Sequence, residues 1–309
     1  MAKSETVFSF TKVSASRRIR DIKEKAIEVV LFLAACVSVL TTVGIIFLLI
    51  EESFLFFQKV SLWEFITGTE WTPLFAEPRY GIWALLSGTI TTSAIALVVS
   101  VPMGTIIAIY LSEFAPPGIR EICKPILELL AAIPTVVYGY FALLFVTPLL
   151  QKVFPELPGF NMLSAGIVMG LMIVPLVSSL SEDAMRAVPV ALREGSFAMG
   201  ATKLQTAIRV VFPAAISGIV ASYILAASRA VGETMIVAVA AGLQPNFTFN
   251  PFKSAATVTA YIVQVSLGDL PRGTLEHQTI FAAGLALFVM TLVLNIIGYM
   301  LAKRYREIY

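Results

Sequence analysis

Six stretches of this chain are apolar over roughly 20 residues or more, the length an α-helix needs to cross a hydrocarbon layer about 30 Å thick. They fall near residues 26–50, 81–111, 125–150, 162–180, 214–241 and 279–302. Such a sequence is expected to fold as an all-α integral membrane protein, because in lipid a helix satisfies its backbone N–H and C=O groups within its own segment. Composition agrees: 58% of the 309 residues are hydrophobic and only 14% are charged, where a soluble domain carries about 25% charge. The first stretch is too long for a cleaved signal peptide and no small-residue cleavage site follows it. Pro102 and Gly104 predict a kink in the second.

Lysine and arginine accumulate on the cytoplasmic side of membrane proteins. With the N-terminus inside, 16 basic residues lie in the cytoplasmic segments, among them Arg120, Lys124, Arg186, Arg193, Lys203 and Arg209. Five lie outside: Lys59, Arg79, Lys152, Lys253 and Arg272. Both termini are therefore expected to face the cytoplasm of a multi-pass protein. The boundaries that follow are a cytoplasmic segment 1–25, a first span with its external segment 26–80, a core 81–302 containing a cytoplasmic loop 181–213, and a tail 303–309. Trp63 and Trp71 in the first external segment suit a membrane interface, and the connection 242–278, with Pro245, Pro251 and Pro271, is expected to be partly irregular or re-entrant. The basic residues form no nucleic-acid surface, since they sit in short segments between apolar runs. Cys36 and Cys123 make neither a disulfide framework nor a metal spacing, and His277, the single histidine, reads as a solvated loop residue. A membrane enzyme is disfavoured, because nothing supplies a metal cluster or a nucleophile with its base.

The loop 181–213 is neither short nor polar. Val190, Leu192, Phe197, Ala201, Leu204, Ile208 and Val211 alternate with charges at helical spacing, which predicts short amphipathic helices broken near Gly200. Composition alone leaves an ordinary interhelical connection and a docking element equally open. The detailed pattern is Glu194-Gly195-Ser196, three residues, Gly200, nine residues, Val210, one residue, Phe212-Pro213. It resembles the EAA loop of ABC importer permeases, departing at Gly195, Ser196, Val210 and Phe212 by small-for-small or apolar-for-apolar changes. The resemblance implies that Glu194, Gly195, Ser196, Gly200 and Ala201 belong to a coupling helix seated in a cleft of a separate ATPase subunit. No Gly-x-x-x-x-Gly-Lys-Ser/Thr sequence is present, in keeping with ATP and its magnesium being bound by that partner, with no cofactor in this chain.

Ionisable side chains inside a bilayer cost about 2.5–3.5 kcal/mol each on insertion scales and are functional candidates by default. Arg229 and Glu233 are such residues in the fifth stretch, four apart, so a continuous helix would place them on one face as an ion pair. Ser222 shares that face and Thr234 adjoins Glu233, while Ala226, Ala227, Ser228, Ala230 and Gly232 favour close helix packing. A structural salt bridge is one reading. The other is a translocation site, since an arginine offers five donors and a fixed charge suited to an oxyanion such as phosphate.

The segment Ser228-Arg229-Ala230-Val231-Gly232-Glu233-Thr234-Met235 resembles the Arg-Ala-x-Gly-Glu-Thr stretch of phosphate-transport permeases, and Met235 is closer to the PstC-type than to the PstA-type subunit. Glu128-Leu129-Leu130-Ala131-Ala132-Ile133-Pro134-Thr135-Val136-Val137-Tyr138-Gly139 is similar to a second PstC segment, with Thr135 in place of serine. The resemblance extends from about Tyr80 onward. It implies the type I ABC importer permease (MetI-like) fold with six transmembrane helices and cytoplasmic coupling helices, in a bacterial inner membrane. It also implies a partnership with a homologous PstA-type permease, two ATP-binding subunits and a phosphate-binding protein. Pro134 is expected to break a helical hydrogen bond and free a carbonyl that Thr135 helps to satisfy, and Glu128 to sit near a helix N-terminus where the dipole favours it. Two other functions remain open: a permease for sulfate or molybdate, and a stand-alone secondary transporter, which would be expected to show inverted repeats or more intramembrane acids.

Overall fold

The computed structural model describes residues 8–304 other than Asp269 and Arg272, with side chains from residue 20 onward except Ile22. The ends of the predicted N-terminal segment and tail, with Lys3 and Arg306, and Arg272 of the basic tally, lie outside the described residues. The chain divides into two compact units, Met1–Glu52 and Ser53–Tyr309. Helix α1 (Phe8–Phe57) begins among the basic residues of the N-terminal segment and continues through the first apolar stretch, where Leu31, Phe32, Leu40 and Phe47 are exposed.

The second unit follows with α2 (Leu62–Thr67) and α3 (Trp83–Ile109), which runs through Pro102 and ends in a π-helical turn, Tyr110–Phe114. Next come α4 (Pro117–Ala132), α5 (Thr135–Phe141) with a π-helical turn Ala142–Val146, α6 (Thr147–Gln151) and α7 (Met162–Arg186). The loop 181–213 holds α8 (Val190–Ala198), α9 (Lys203–Thr206), a π-helical turn Ala207–Val211 and α10 (Phe212–Ala214). The chain closes with α11 (Ile216–Val231), α12 (Met235–Ala240), α13 (Val258–Ser266) and α14 (Leu275–Arg304). Among the described residues, four helices are long and apolar enough to cross a membrane, or six if each of two bent pairs counts as one span.

Two of the six predicted spans are not single rods. The third bends by 87° between Pro117–Ala132 and Thr135–Gln151. Pro134 lacks the amide that would bond the carbonyl of Leu130, and its neighbour Ile133 takes an extended conformation (φ −63°, ψ 130°), as the residue before a proline favours. The fifth is entered through a 72° bend from Lys203–Ala214, and its helix stops at Val231, resuming only at Met235.

At the centre lies α7, with 67% of its most apolar window buried. It packs most extensively against α3, at small residues: a Cβ added at Gly104 would lie 2.7 Å from Val177 Cβ, and one at Gly170 would lie 2.7 Å from Val99 Cβ. Side-chain bulk is excluded where the helices press together. On its other flank α11 is joined to α7 by a hydrogen bond between the hydroxyls of Ser181 and Ser222, 2.8 Å apart.

The first external segment is built on aromatic packing. Trp63 is 76% exposed, as an interfacial residue would be, but Trp71 is only 1% exposed. An isolated bridge to Tyr80 turns Trp71 inward, edge-on to Phe65, Tyr80 and Tyr261 with ring centroids 6.1, 6.5 and 5.2 Å away. Burial pushes the Tyr261 phenol up to about 12, and it shares a hydrogen bond with Thr279. In the connection 242–278, residues 243–257 are irregular, whereas α13 is largely buried, with Thr89 Oγ1 accepting from the Val258 amide. His277 is not a solvated loop residue: it lies in the first turn of α14, half-buried, its ring 5.5 Å from that of Phe281.

Candidate translocation cavity and docking segment

A cavity of about 260 Å³ lies between α4, α7 and α11. From α4 it is lined by Lys124, Leu127, Glu128 and Ala131, positions that share one helical face; from α7 by residues between Met172 and Glu182; and from α11 by Arg229. Ten residues of helix rise about 15 Å, so the cavity is elongated along α7. At one end, Glu182 is fully buried and lies among cations: Arg120 Nε at 2.7 Å, Lys124 Nζ at 3.2 Å and Arg186 Nη1 at 3.8 Å. Arg186 lies beyond hydrogen-bonding distance and the two shorter contacts are off-axis for a hydrogen bond, so the carboxylate is held mainly by charge. Lys124 also meets the exposed Asp183 at 3.4 Å. These ion pairs tie α4 to α7, and they matter because α4 buries none of its residues in this chain.

Arg229 and Glu233 do not form the ion pair that a continuous helix would make; among the described residues none joins them within 4.0 Å. Arg229 is in the last turn of α11, where the negative dipole end favours a cation, and it reaches the cavity. Glu233, 9% exposed, lies beyond the helix end. Its Oε1 accepts from the amides of Met235 (3.0 Å) and Ile236 (3.3 Å). Those amides would otherwise bond the carbonyls of Val231 and Gly232, so the carboxylate stands in for a helical turn. The hydroxyl of Thr259, on α13, donates to the Glu233 carbonyl at 2.7 Å and holds the break from the far side.

The remaining predicted residues separate. Ser222 is 1% exposed and engaged with Ser181 and the Ile219 carbonyl, away from the cavity lining. Thr234 is the residue before α12, with its hydroxyl 3.4 Å from the Gly232 carbonyl. Pro134 and Thr135 stand at the α4–α5 break, but the freed Leu130 carbonyl accepts from the Tyr138 hydroxyl at 2.7 Å and from the Ile133 amide at 3.4 Å, not from Thr135. Past both breaks the chain converges: α5 packs on α12, where a Cβ at Gly139 would lie 3.1 Å from the Met235 carbonyl oxygen. Glu128 is not at a helix N-terminus. Since α4 begins at Pro117, Glu128 lies near its C-terminal end, where the dipole disfavours a carboxylate, and it faces the cavity.

The loop 181–213 forms the short helices its periodicity predicts. Glu194, Gly195 and Ser196 lie on α8, Glu194 and Gly195 exposed. Gly200 follows the helix at φ +83°, a left-handed conformation that glycine adopts freely, and Ala201 N–H returns to the Ser196 carbonyl at 3.1 Å. The Ser196 and Thr206 hydroxyls, 2.9 Å apart, fasten α8 to α9. Phe197, Met199, Leu204 and Ile208 leave an apolar surface exposed beside Glu194.

Sequence reasoning did not find what anchors this segment. Arg193 is 16% exposed and Glu113 7%; the guanidinium donates to both Glu113 oxygens, with Nη2 to Oε1 at 2.9 Å. It also donates to the carbonyls of Val188 (2.7 Å) and Met185 (2.8 Å) at the end of α7. One side chain thus joins α8, the end of α7 and the π-helical turn after α3. Glu182 was missed as well. The adjacent acids Glu182-Asp183 in the last two turns of an apolar helix were the available signal.

Comparison with known proteins places this geometry. Residues 100–307 match the model of the binding-protein-dependent transport system inner membrane component family. The chain belongs to that family and is a permease of an ABC importer. A Bacillus subtilis relative described as a probable ABC transporter permease protein, YqgH, is 33% identical over 297 residues, covering 95% of this chain and 96% of that one. The phosphate transport system permease protein PstC of Mesorhizobium japonicum is 34% identical over 259 residues, covering 77% and 78%. Among solved structures, a bacterial alginate ABC transporter in complex with an alginate pentasaccharide-bound periplasmic protein contains a chain of the same fold. The TM-score is 0.64 at 19% identity, over 93% of this chain and 98% of that one. The fold is that of the type I ABC importer permeases.

Proposed function

We propose that this chain is the PstC-type permease of an ATP-driven inorganic phosphate importer, forming half of the translocation path. The observation that carries the reading is Arg229: a cation with no carboxylate within 4.0 Å among the described residues, at the wall of a cavity of about 260 Å³ beside two broken spans. A guanidinium in a low-dielectric setting binds a tetrahedral oxyanion through several N–H donors at once. Relatives described as PstC support phosphate as the anion. Glu233, Thr234, Pro134 and Thr135 would then shape the breaks that border the path, and Ser222 would fix α11 against α7. The exposed surface of α8 with Glu194, Gly195, Ser196, Gly200 and Ala201 would dock on one of two ATP-binding subunits, which hold ATP and magnesium. A PstA-type permease would complete the path and a phosphate-binding protein would deliver the substrate. The accumulation of lysine and arginine in these segments supports a cytoplasmic side for both termini and for the Lys124–Glu182 end of the cavity.

The test is radiolabelled phosphate uptake by proteoliposomes containing the chain, its partner permease, the ATPase and the binding protein. ATP-dependent accumulation that sulfate and molybdate do not compete away is expected, with loss of uptake in an assembled Arg229→Gln complex. Accumulation of another oxyanion would overturn the substrate, and transport without the ATPase would overturn the coupling.

A further inference from the structure

We propose that Lys124 is a second oxyanion station in the cavity, near its cytoplasmic mouth, and that Glu182 is its resident counter-anion, displaced when substrate passes. The proposal rests on the translocation path just described. Arg229 and Lys124 line the same cavity from two different helices. Arg229 is level with the middle of α7, since Ser222, seven residues earlier, is bonded to Ser181 near the cytoplasmic end. Lys124 lies at that end, 3.2 Å from Glu182. An anion leaving Arg229 therefore meets Lys124 before it meets bulk water.

The chemistry of Glu182 points to exchange and not to a fixed strut. Its carboxylate is fully buried, yet neither oxygen accepts a hydrogen bond of acceptable angle, so it sits in its cation nest without the directed donors that normally hold a buried carboxylate. Three cations, Arg120, Lys124 and Arg186, surround Glu182 and the exposed Asp183, and Lys124 is shared between the two carboxylates, at 3.2 and 3.4 Å. An entering oxyanion can take the donors of Lys124 while Arg120 and Arg186 keep Glu182 neutralised. When the anion departs, Lys124 closes back onto Glu182. Glu128, one helical turn beyond Lys124 on the same face, adds a negative charge that keeps the anion from lodging. The arrangement binds an oxyanion weakly at the exit and discourages its return, which a release site requires.

The measurement is equilibrium binding of radiolabelled inorganic phosphate to the purified, nucleotide-free permease–ATPase complex. Glu182→Gln removes the nearer of the two carboxylates that compete for Lys124, leaving the exposed Asp183, and is expected to tighten binding on the order of tenfold. The gain should disappear in Glu182→Gln/Lys124→Gln. Unchanged or weaker binding of phosphate, molybdate and sulfate alike by an assembled Glu182→Gln complex overturns the proposal, as does a gain that survives removal of Lys124. Should Glu182→Gln fail to assemble, Lys124→Gln alone decides: binding weakened severalfold supports the station, and unchanged affinity rejects it. Repeating the series with molybdate and sulfate separates the two readings. Tightening by Glu182→Gln with one of those anions and not with phosphate keeps the exchangeable counter-anion and overturns the substrate.

Discussion

The two interrupted spans meet opposite problems and use opposite chemistry. At Ile133–Pro134 the missing proline N–H orphans an acceptor, the Leu130 carbonyl, and a phenol donor from Tyr138 fills the gap. At Gly232–Thr234 the helix stops without a proline, orphaning donors, the amides of Met235 and Ile236, and a carboxylate acceptor from Glu233 fills that gap. The first break is written into the backbone, because no side chain can restore an amide to proline. The second is held by a side chain, so one substitution removes it. A backbone-determined bend is a fixed corner, whereas a bend maintained by one carboxylate is the element in this fold more easily opened or re-formed.

Substitutions that break this contrast should differ in size. Glu233→Ala removes the acceptor for two buried amides and is expected to destabilise the complex by about 3 kcal/mol in thermal unfolding. Glu233→Gln keeps an acceptor at the same place and should cost about 1 kcal/mol. Equal losses for the two would mean that the charge, and not the acceptor, holds the second break. Tyr138→Phe leaves the Leu130 carbonyl only the long bond from the Ile133 amide, at 3.4 Å, with an expected cost of about 1 kcal/mol. In a Pro134→Ala background the restored amide can take over that carbonyl, so the same change should cost less than about 0.5 kcal/mol there. A Tyr138→Phe cost that does not depend on residue 134 would refute the pairing of the phenol with the proline gap. Thr135→Val, which removes a hydroxyl that makes no hydrogen bond among the described residues, should fall within about 0.5 kcal/mol of wild type; a larger loss would return Thr135 to the repair of the first break.

How far the sequence could be read follows from how local each feature is. The apolar runs of α1, α3, α7 and α14, the amphipathic α8 and the helix break near Gly200 depend on neighbouring residues, and all were legible. Pro134 announced a disturbance but not its 87° angle, which depends on Ile133 and on what α5 packs against. The second break was hidden, because Gly232-Glu233-Thr234 carries no proline and the four-residue spacing of Arg229 and Glu233 invites a continuous helix. Once the helix ends at Val231, that spacing no longer places the pair on one face, and the two charges turn to different tasks. Trp71 misled for a related reason: its amphipathic ring suits an interface, but a bridge to Tyr80 and three aromatic neighbours make it core. The Glu182 cluster and the Arg193–Glu113 pair join residues far apart in sequence, where periodicity carries no information.

The Arg193–Glu113 pair has a consequence for building chimeras. Redirecting this permease to a foreign ATPase would ordinarily mean exchanging the loop 181–213 alone. That graft would carry the arginine and leave its carboxylate behind, 80 positions upstream. A donor loop lacking arginine at position 193 would leave the carboxylate of Glu113, 7% exposed, with the Ser112 hydroxyl as its remaining donor and no cation beside it. A transplantable module therefore has two pieces, the loop and the turn at Tyr110–Phe114, and a graft that respects only the shorter boundary tests the stranded charge before it tests the choice of ATPase.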